Sequence, residues 1–166
     1  IILNSNNYNF PLKINLIISN NKSAEGLKYA KKWSIPFLIF KNRELLSEKI
    51  VLKKLKDFRI DIIILAGYMK ILSKKFIRSF GKKIINIHPS LLPKFKGLNT
   101  FERVLSNKEK KTGCTVHYVN EKLDGGKIIV KKFFYIKKTD NISTLKRKTQ
   151  LLEYKAFSEA LIKEFN

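Results

Sequence analysis

The sequence predicts an α/β protein with a mostly parallel sheet, and three observations carry that prediction. Short apolar runs of strand length recur along the chain, stretches with helical apolar spacing alternate with them, and polar or glycine punctuation closes most of them. Runs that are apolar throughout, and not at every second residue, need cover on both faces, which a parallel sheet flanked by helices provides. At 166 residues and 44% apolar composition, the chain has the size and the core material of one domain, so a single domain over 1–166 is expected.

The elements follow in order. Residues 13–19 (KINLIIS) form a short apolar run closed by Ser-Asn-Asn and read as a buried strand. Residues 23–33 have a polar start and apolar positions at Ala24, Leu27 and Ala30, the pattern of a helix. A second strand is expected at 35–40. Leu45, Leu46, Ile50, Val51, Leu55 and Phe58 then mark one face of a helix over 45–58, and 61–66 (DIIILA) gives a third strand. Ser73 can cap a short helix that Gly81 ends, and 83–87 (KIINI) supplies a fourth strand. A proline-punctuated loop and a helix near 100–106 lead to two β-rich runs, 114–119 and 127–136, joined by a segment whose Asp-Gly-Gly is a turn signal. A last helix is expected over 142–165. Residues 1–9 begin without methionine and read as the end of a helix, so the natural chain is expected to start earlier.

Composition narrows the function. The only cysteine, Cys114, cannot pair within the chain, which fits a reducing cytoplasmic setting. No apolar run approaches the roughly 18–20 residues of a membrane span, so no membrane association is expected. A net charge of +22 would by itself nominate an anionic partner. Most of that charge is lysine spread over the whole chain, with arginine only at Arg43, Arg59, Arg78, Arg103 and Arg147. Nucleic-acid readers favour arginine forks and aromatic platforms on one basic face, so nucleic acid is not the expected partner.

In an open parallel sheet, ligands gather beyond the carboxyl ends of the strands. The strand at 83–87 leaves through Asn-Ile-His-Pro, where period-two geometry sends Asn86 and His88 to one face and Ile87 to the other. Pro89 and Pro93 bound a stiff loop behind them. Asp124 sits in Leu-Asp-Gly-Gly, where the glycines let the backbone approach a partner closely. Singly, these are also what a capped strand end and an ordinary turn would show. Together they offer a neutral donor, an acid/base group and a carboxylate that favours the protonated imidazole. His117, inside a strand, reads as structural.

Three stretches carry a resemblance: 65–73 (LAGYMKILS), 85–97 (INIHPSLLPKFKG) and 123–126 (LDGG). In order and spacing they resemble the central signatures of the folate-dependent formyltransferases, most closely the phosphoribosylglycinamide formyltransferase branch, and the similarity runs through the chain. The resemblance implies a Rossmann-like formyltransferase fold lacking its first strand, and transfer of formyl from 10-formyltetrahydrofolate to the amine of glycinamide ribonucleotide in purine synthesis. It implies catalytic roles for Asn86, His88 and Asp124, with no metal. It also implies folate contacts from Arg43, from the loop Met69, Lys70, Ile71 and Leu72, from Asn86, and from Asn120, Glu121, Lys122 and Leu123. Contacts to the ribonucleotide are implied for Gln150, Leu151, Leu152 and Glu153, with Glu153 able to pair with the amine.

Two features depart from the family pattern. Its N-terminal strand and Gly-x-Gly-Ser-Asn phosphate loop have no counterpart in 1–166, and Lys96 stands where proline is more familiar. Competing expectations are a methionyl-tRNA formyltransferase or a formyltetrahydrofolate hydrolase, and outside that class a basic nucleic-acid-binding α/β domain. Monomer and homodimer are both compatible with the sequence.

Overall fold

The computed structural model describes residues 10–40 and 48–165. The expected helix end at 1–9, the start of the helix expected over 45–58, and Arg43 lie outside the described residues. Within them the elements are β1 (Ile17–Ser19), α1 (Glu25–Lys32), β2 (Phe37–Ile39), α2 (Glu48–Asp57), β3 (Ile62–Leu65), α3 (Lys74–Phe80), β4 (Lys83–His88), α4 (Thr100–Ser106), β5 (Lys111–Tyr118), β6 (Ile128–Tyr135) and α5 (Ile142–Phe165). The alternation read from the sequence holds through β4.

β1 pairs with β2 in parallel, and β3 with β4 in parallel. β5 and β6 then extend the second sheet by antiparallel pairing, in the order β3-β4-β5-β6. A nine-residue segment, 119–127, suffices for the antiparallel return, whereas β3 and β4 need the crossover helix α3 between them. That helix has the ends the sequence announced. Ser73 Oγ accepts from the Phe76 amide, and Gly81 closes the helix at φ 64°.

Both faces of the larger sheet are covered. On one, α5 buries Ala156, Phe157, Ala160 and Leu161 against Ile85, Ile87, Cys114, Val116 and Val130. On the other, Leu55 of α2 and Phe76 of α3 meet Ile84. Alternate residues of β4 thus serve opposite layers, which is why the strand reads as apolar throughout. Each such side chain, fully buried, contributes about 1.5–3 kcal/mol. Pairing of Leu65 with Asn86 sets the carboxyl ends of β3 and β4 side by side.

Candidate active site

The register of β4 and β5 builds the floor of the site. Asn86 lies opposite His117 and His88 opposite Thr115, so four polar side chains share the sheet face away from α5. The loop leaving His88 is fastened from below. Thr115 Oγ1 donates to the Ser90 carbonyl at 2.7 Å and accepts from the Leu92 amide at 3.1 Å, while Ser90 Oγ donates to the Lys94 carbonyl at 2.6 Å. Ser90 and Thr115 are fully buried, where an unmatched hydroxyl would cost about 1–3 kcal/mol.

The loop beyond curls back over His88. Phe95 (φ 56°), Gly97 (φ 76°) and Asn99 (φ 54°) are all left-handed, a conformation that L side chains enter at a cost and that recurs at functional sites. The curl lets His88 Nε2 donate to the Phe95 carbonyl at 2.8 Å. His88 Nδ1 lies 3.4 Å from Asp124 Oδ2. Both ring nitrogens therefore face oxygen acceptors, an arrangement that an imidazolium, with two N–H donors, satisfies in full.

Asp124, itself at φ 44°, comes from the segment between β5 and β6, which folds back across the sheet face. Its Oδ2 accepts the Gly97 amide at 2.8 Å, and its Oδ1 lies 3.8 Å from His117 Nε2. Glycine is required in this return. A Cβ on Gly126 would stand 1.7 Å from the Tyr118 carbonyl oxygen.

His117 combines the structural role expected for it with contact to the site. Its Nδ1 donates to the Tyr118 carbonyl at 2.8 Å. Burial above all pushes its pKa down, aided by the neighbouring His88 and Lys96, while the Tyr118 carbonyl and Asp124 act against this. Neutral His117 then offers Nε2 as an acceptor to Asn86 Nδ2, 3.3 Å away, and so sets which way the Asn86 carboxamide is turned. Period-two spacing could have flagged His117 only with the β4–β5 register already known.

Known proteins resemble this chain in sequence and fold. The family described as formyl transferase matches residues 1–161. The chain belongs to the formyl transferase family. Among its relatives, the trifunctional purine biosynthetic protein adenosine-3 of Homo sapiens is 41% identical over 158 residues, covering 92% of this chain and 16% of that protein. The chain thus spans under a fifth of the trifunctional relatives. Phosphoribosylglycinamide formyltransferase of Haemophilus influenzae is 41% identical over 151 residues, covering 89% of this chain and 71% of the relative. The solved phosphoribosylglycinamide formyltransferase from Bacillus halodurans superposes with TM-score 0.89 at 32% identity, over 98% of this chain and 86% of that one.

The formyl transferase chain brings Asn86, His88 and Asp124 into one group, linked through His117. Around them the expected ligand residues fall into two groups. Met69 and Ile71, at the β3 exit, are 73% and 75% exposed, and Leu123 is 49% exposed. Lys70, Asn120, Glu121 and Lys122 are exposed beside them, while Leu72 is half-buried against the α2–α3 core. Gln150, Leu151, Leu152 and Glu153 lie on α5, the helix on the opposite sheet face. Glu153 is half-buried, and burial pushes its carboxyl up to about 6. Burial, with Glu153 adding to it, likewise pushes the Cys114 thiol up to about 12, leaving it inert as a nucleophile. Among the described residues, no three His, Cys, Asp or Glu side chains are grouped to hold a metal ion, and no helix is long and apolar enough to cross a membrane.

Proposed function

We propose that this chain transfers the formyl group of 10-formyltetrahydrofolate to the amine of glycinamide ribonucleotide. One observation carries the proposal: a cluster of buried His88 with half-buried Asn86 and Asp124 lies next to a strand-exit loop that leaves Met69 and Ile71 exposed. Exposed apolar side chains beside a polar cluster suit an aromatic ligand that delivers a reactive group to it.

The pterin of the folate takes the loop 69–72 and the segment 120–123 as its walls. The amine attacks the formyl carbon, a C–N bond forms, and the carbonyl electrons move to oxygen. Asn86 Nδ2, turned by His117, donates to that oxyanion, and the positive charge of the His88 imidazolium, whose N–H groups face Phe95 and Asp124, favours it through space. Collapse of the intermediate breaks the bond from carbon to the folate nitrogen, and the proton lost by the amine is passed to that nitrogen. His88 with Asp124 and a water molecule carries it. No covalent bond to the protein is required. Glu153, on the other side of the sheet from the reacting amine, contacts a different part of the ribonucleotide from α5, and a reducing cytoplasmic setting is consistent with the buried Cys114.

Purified protein is expected to form formylglycinamide ribonucleotide and tetrahydrofolate in equal amounts, followed by absorbance of the folate product. Normal folate binding without formylation of this amine would reject the acceptor. Release of formate in its place would identify a hydrolase.

A further inference from the structure

The two walls assigned to the folate both hang on α3. At its N-terminus, Glu48 of α2 accepts the Ser73 amide at 2.8 Å and the Ser73 hydroxyl, which pins the end of the loop 66–72. In its last turn, Arg78 donates to Glu121 through two parallel bonds, Nε to Oε1 at 2.6 Å and NH2 to Oε2 at 2.7 Å. Glu121 belongs to the segment 120–126, which also carries Asp124.

Among the described residues, the other hydrogen bonds of that segment lie within it or at its far end. Asn120 Oδ1 accepts the Lys122 amide and its Nδ2 donates to the Gly125 carbonyl, both within the segment. Asp124 holds the Gly97 amide on the catalytic side. The Arg78–Glu121 fork is thus the hydrogen-bonded side-chain tie, among the described residues, between the outer part of this segment and the helix bearing the opposite wall, with Lys74 of that helix adding attraction on Glu121. A fork with two parallel bonds fixes orientation as well as distance, which a lysine at position 78 would not do. Both partners are substantially exposed, 70% for the Arg78 side chain and 35% for Glu121, and exposed pairs add little to global stability.

We propose that Arg78 and Glu121 are positioning residues for folate, holding the 120–123 wall at a fixed separation from the 66–72 wall. The inference rests on the folate reading above. Because Asp124 keeps its own bonds to Gly97 and His88, loss of the fork loosens the wall and leaves the reacting groups in place. The effect falls on folate KM, and in the Arg78 variants kcat and its pH profile stay as they are.

The test uses Arg78→Ala, Glu121→Ala, the double variant, Arg78→Lys, and the charge exchange Arg78→Glu with Glu121→Arg. Each single alanine variant is expected to raise folate KM and Kd about three- to tenfold, with the double variant no worse than either, as coupled groups behave. Arg78→Lys should recover only part of the loss, and the charge exchange more than either single change. The penalty should shrink at 1 M salt, where exposed charges are screened. An unchanged folate KM in both single variants, additive losses in the double, or a fall in kcat equal to the rise in KM would each overturn the proposal. If the unaltered protein itself fails to bind formyl-folate, the folate reading fails instead.

Discussion

His88 is 6% exposed, and Ile71, in the neighbouring loop, is 75% exposed. The contrast extends to the surroundings of each. His88, Asp124, Asn86 and His117 are held by one another and by main-chain groups of Phe95, Gly97 and Tyr118. Met69 and Ile71 leave apolar surface open to water, at a cost that an apolar ligand face would remove. The groups proposed to react are held in place by the protein's own contacts, as electrostatic catalysis requires. The proposed ligand wall at Met69 and Ile71 has no such internal partners among the described residues and would be completed by the ligand.

The largest effects should come from the preorganised half. Asp124→Asn and His88→Ala are each expected to lower kcat by roughly 10²–10⁴, the range for loss of an acid/base group. Folate Kd should move little. Steady-state kinetics with separate titration of folate fluorescence checks both, and a variant that keeps full kcat would remove its residue from the mechanism.

The open half should respond in the opposite sense. Met69→Ser with Ile71→Ser is expected to weaken folate binding about tenfold. Unfolding in urea should shift by no more than about 0.5 kcal/mol, because neither side chain belongs to the core. Loss of stability with folate affinity intact would show the loop to be core after all and end the contrast.

The smallest effect tests Glu153, which shares features of both halves, being half-buried and awaiting a partner. Its folded pKa, about 6, lies above the ordinary carboxylate value, so the native state binds this proton more tightly than the unfolded chain does. The associated stability is present below the unfolded pKa, near 4.3, and is lost as pH rises through about 6. Glu153→Gln should therefore raise Tm by roughly 1–3 °C at pH 8 and leave it nearly unchanged at pH 4. Ribonucleotide affinity should fall in the same variant, most at pH above 6. An unchanged affinity would remove Glu153 from the substrate site.

Much of this was legible in residue order. The α3 caps at Ser73 and Gly81 and the bounds of α4 and α5 are local matters, settled by a side chain within reach of its own backbone or by spacing along one helix. Asn86 and His88 share a face because strands have a period of two. The resemblance of 85–97 and 123–126 to the formyltransferases then brought Asp124 into the same group. Less was legible where partners are distant in sequence. His117 is opposite Asn86 only by virtue of an antiparallel register 31 residues apart, and Arg78 meets Glu121 across 43 residues.

By itself, then, the sequence determined the α/β class, most of the elements and the shared face of Asn86 and His88, because propensity, capping and periodicity act over a few residues; Asp124 joined them through the resemblance. Tertiary structure alone decided that β5 and β6 return antiparallel, that Thr115 fastens the loop behind His88, that His117 turns the Asn86 carboxamide, and that Arg78 of α3 meets Glu121. Each of these depends on which distant segments pack together, and packing is fixed by the burial of the whole core, to which no local stretch of sequence holds the key.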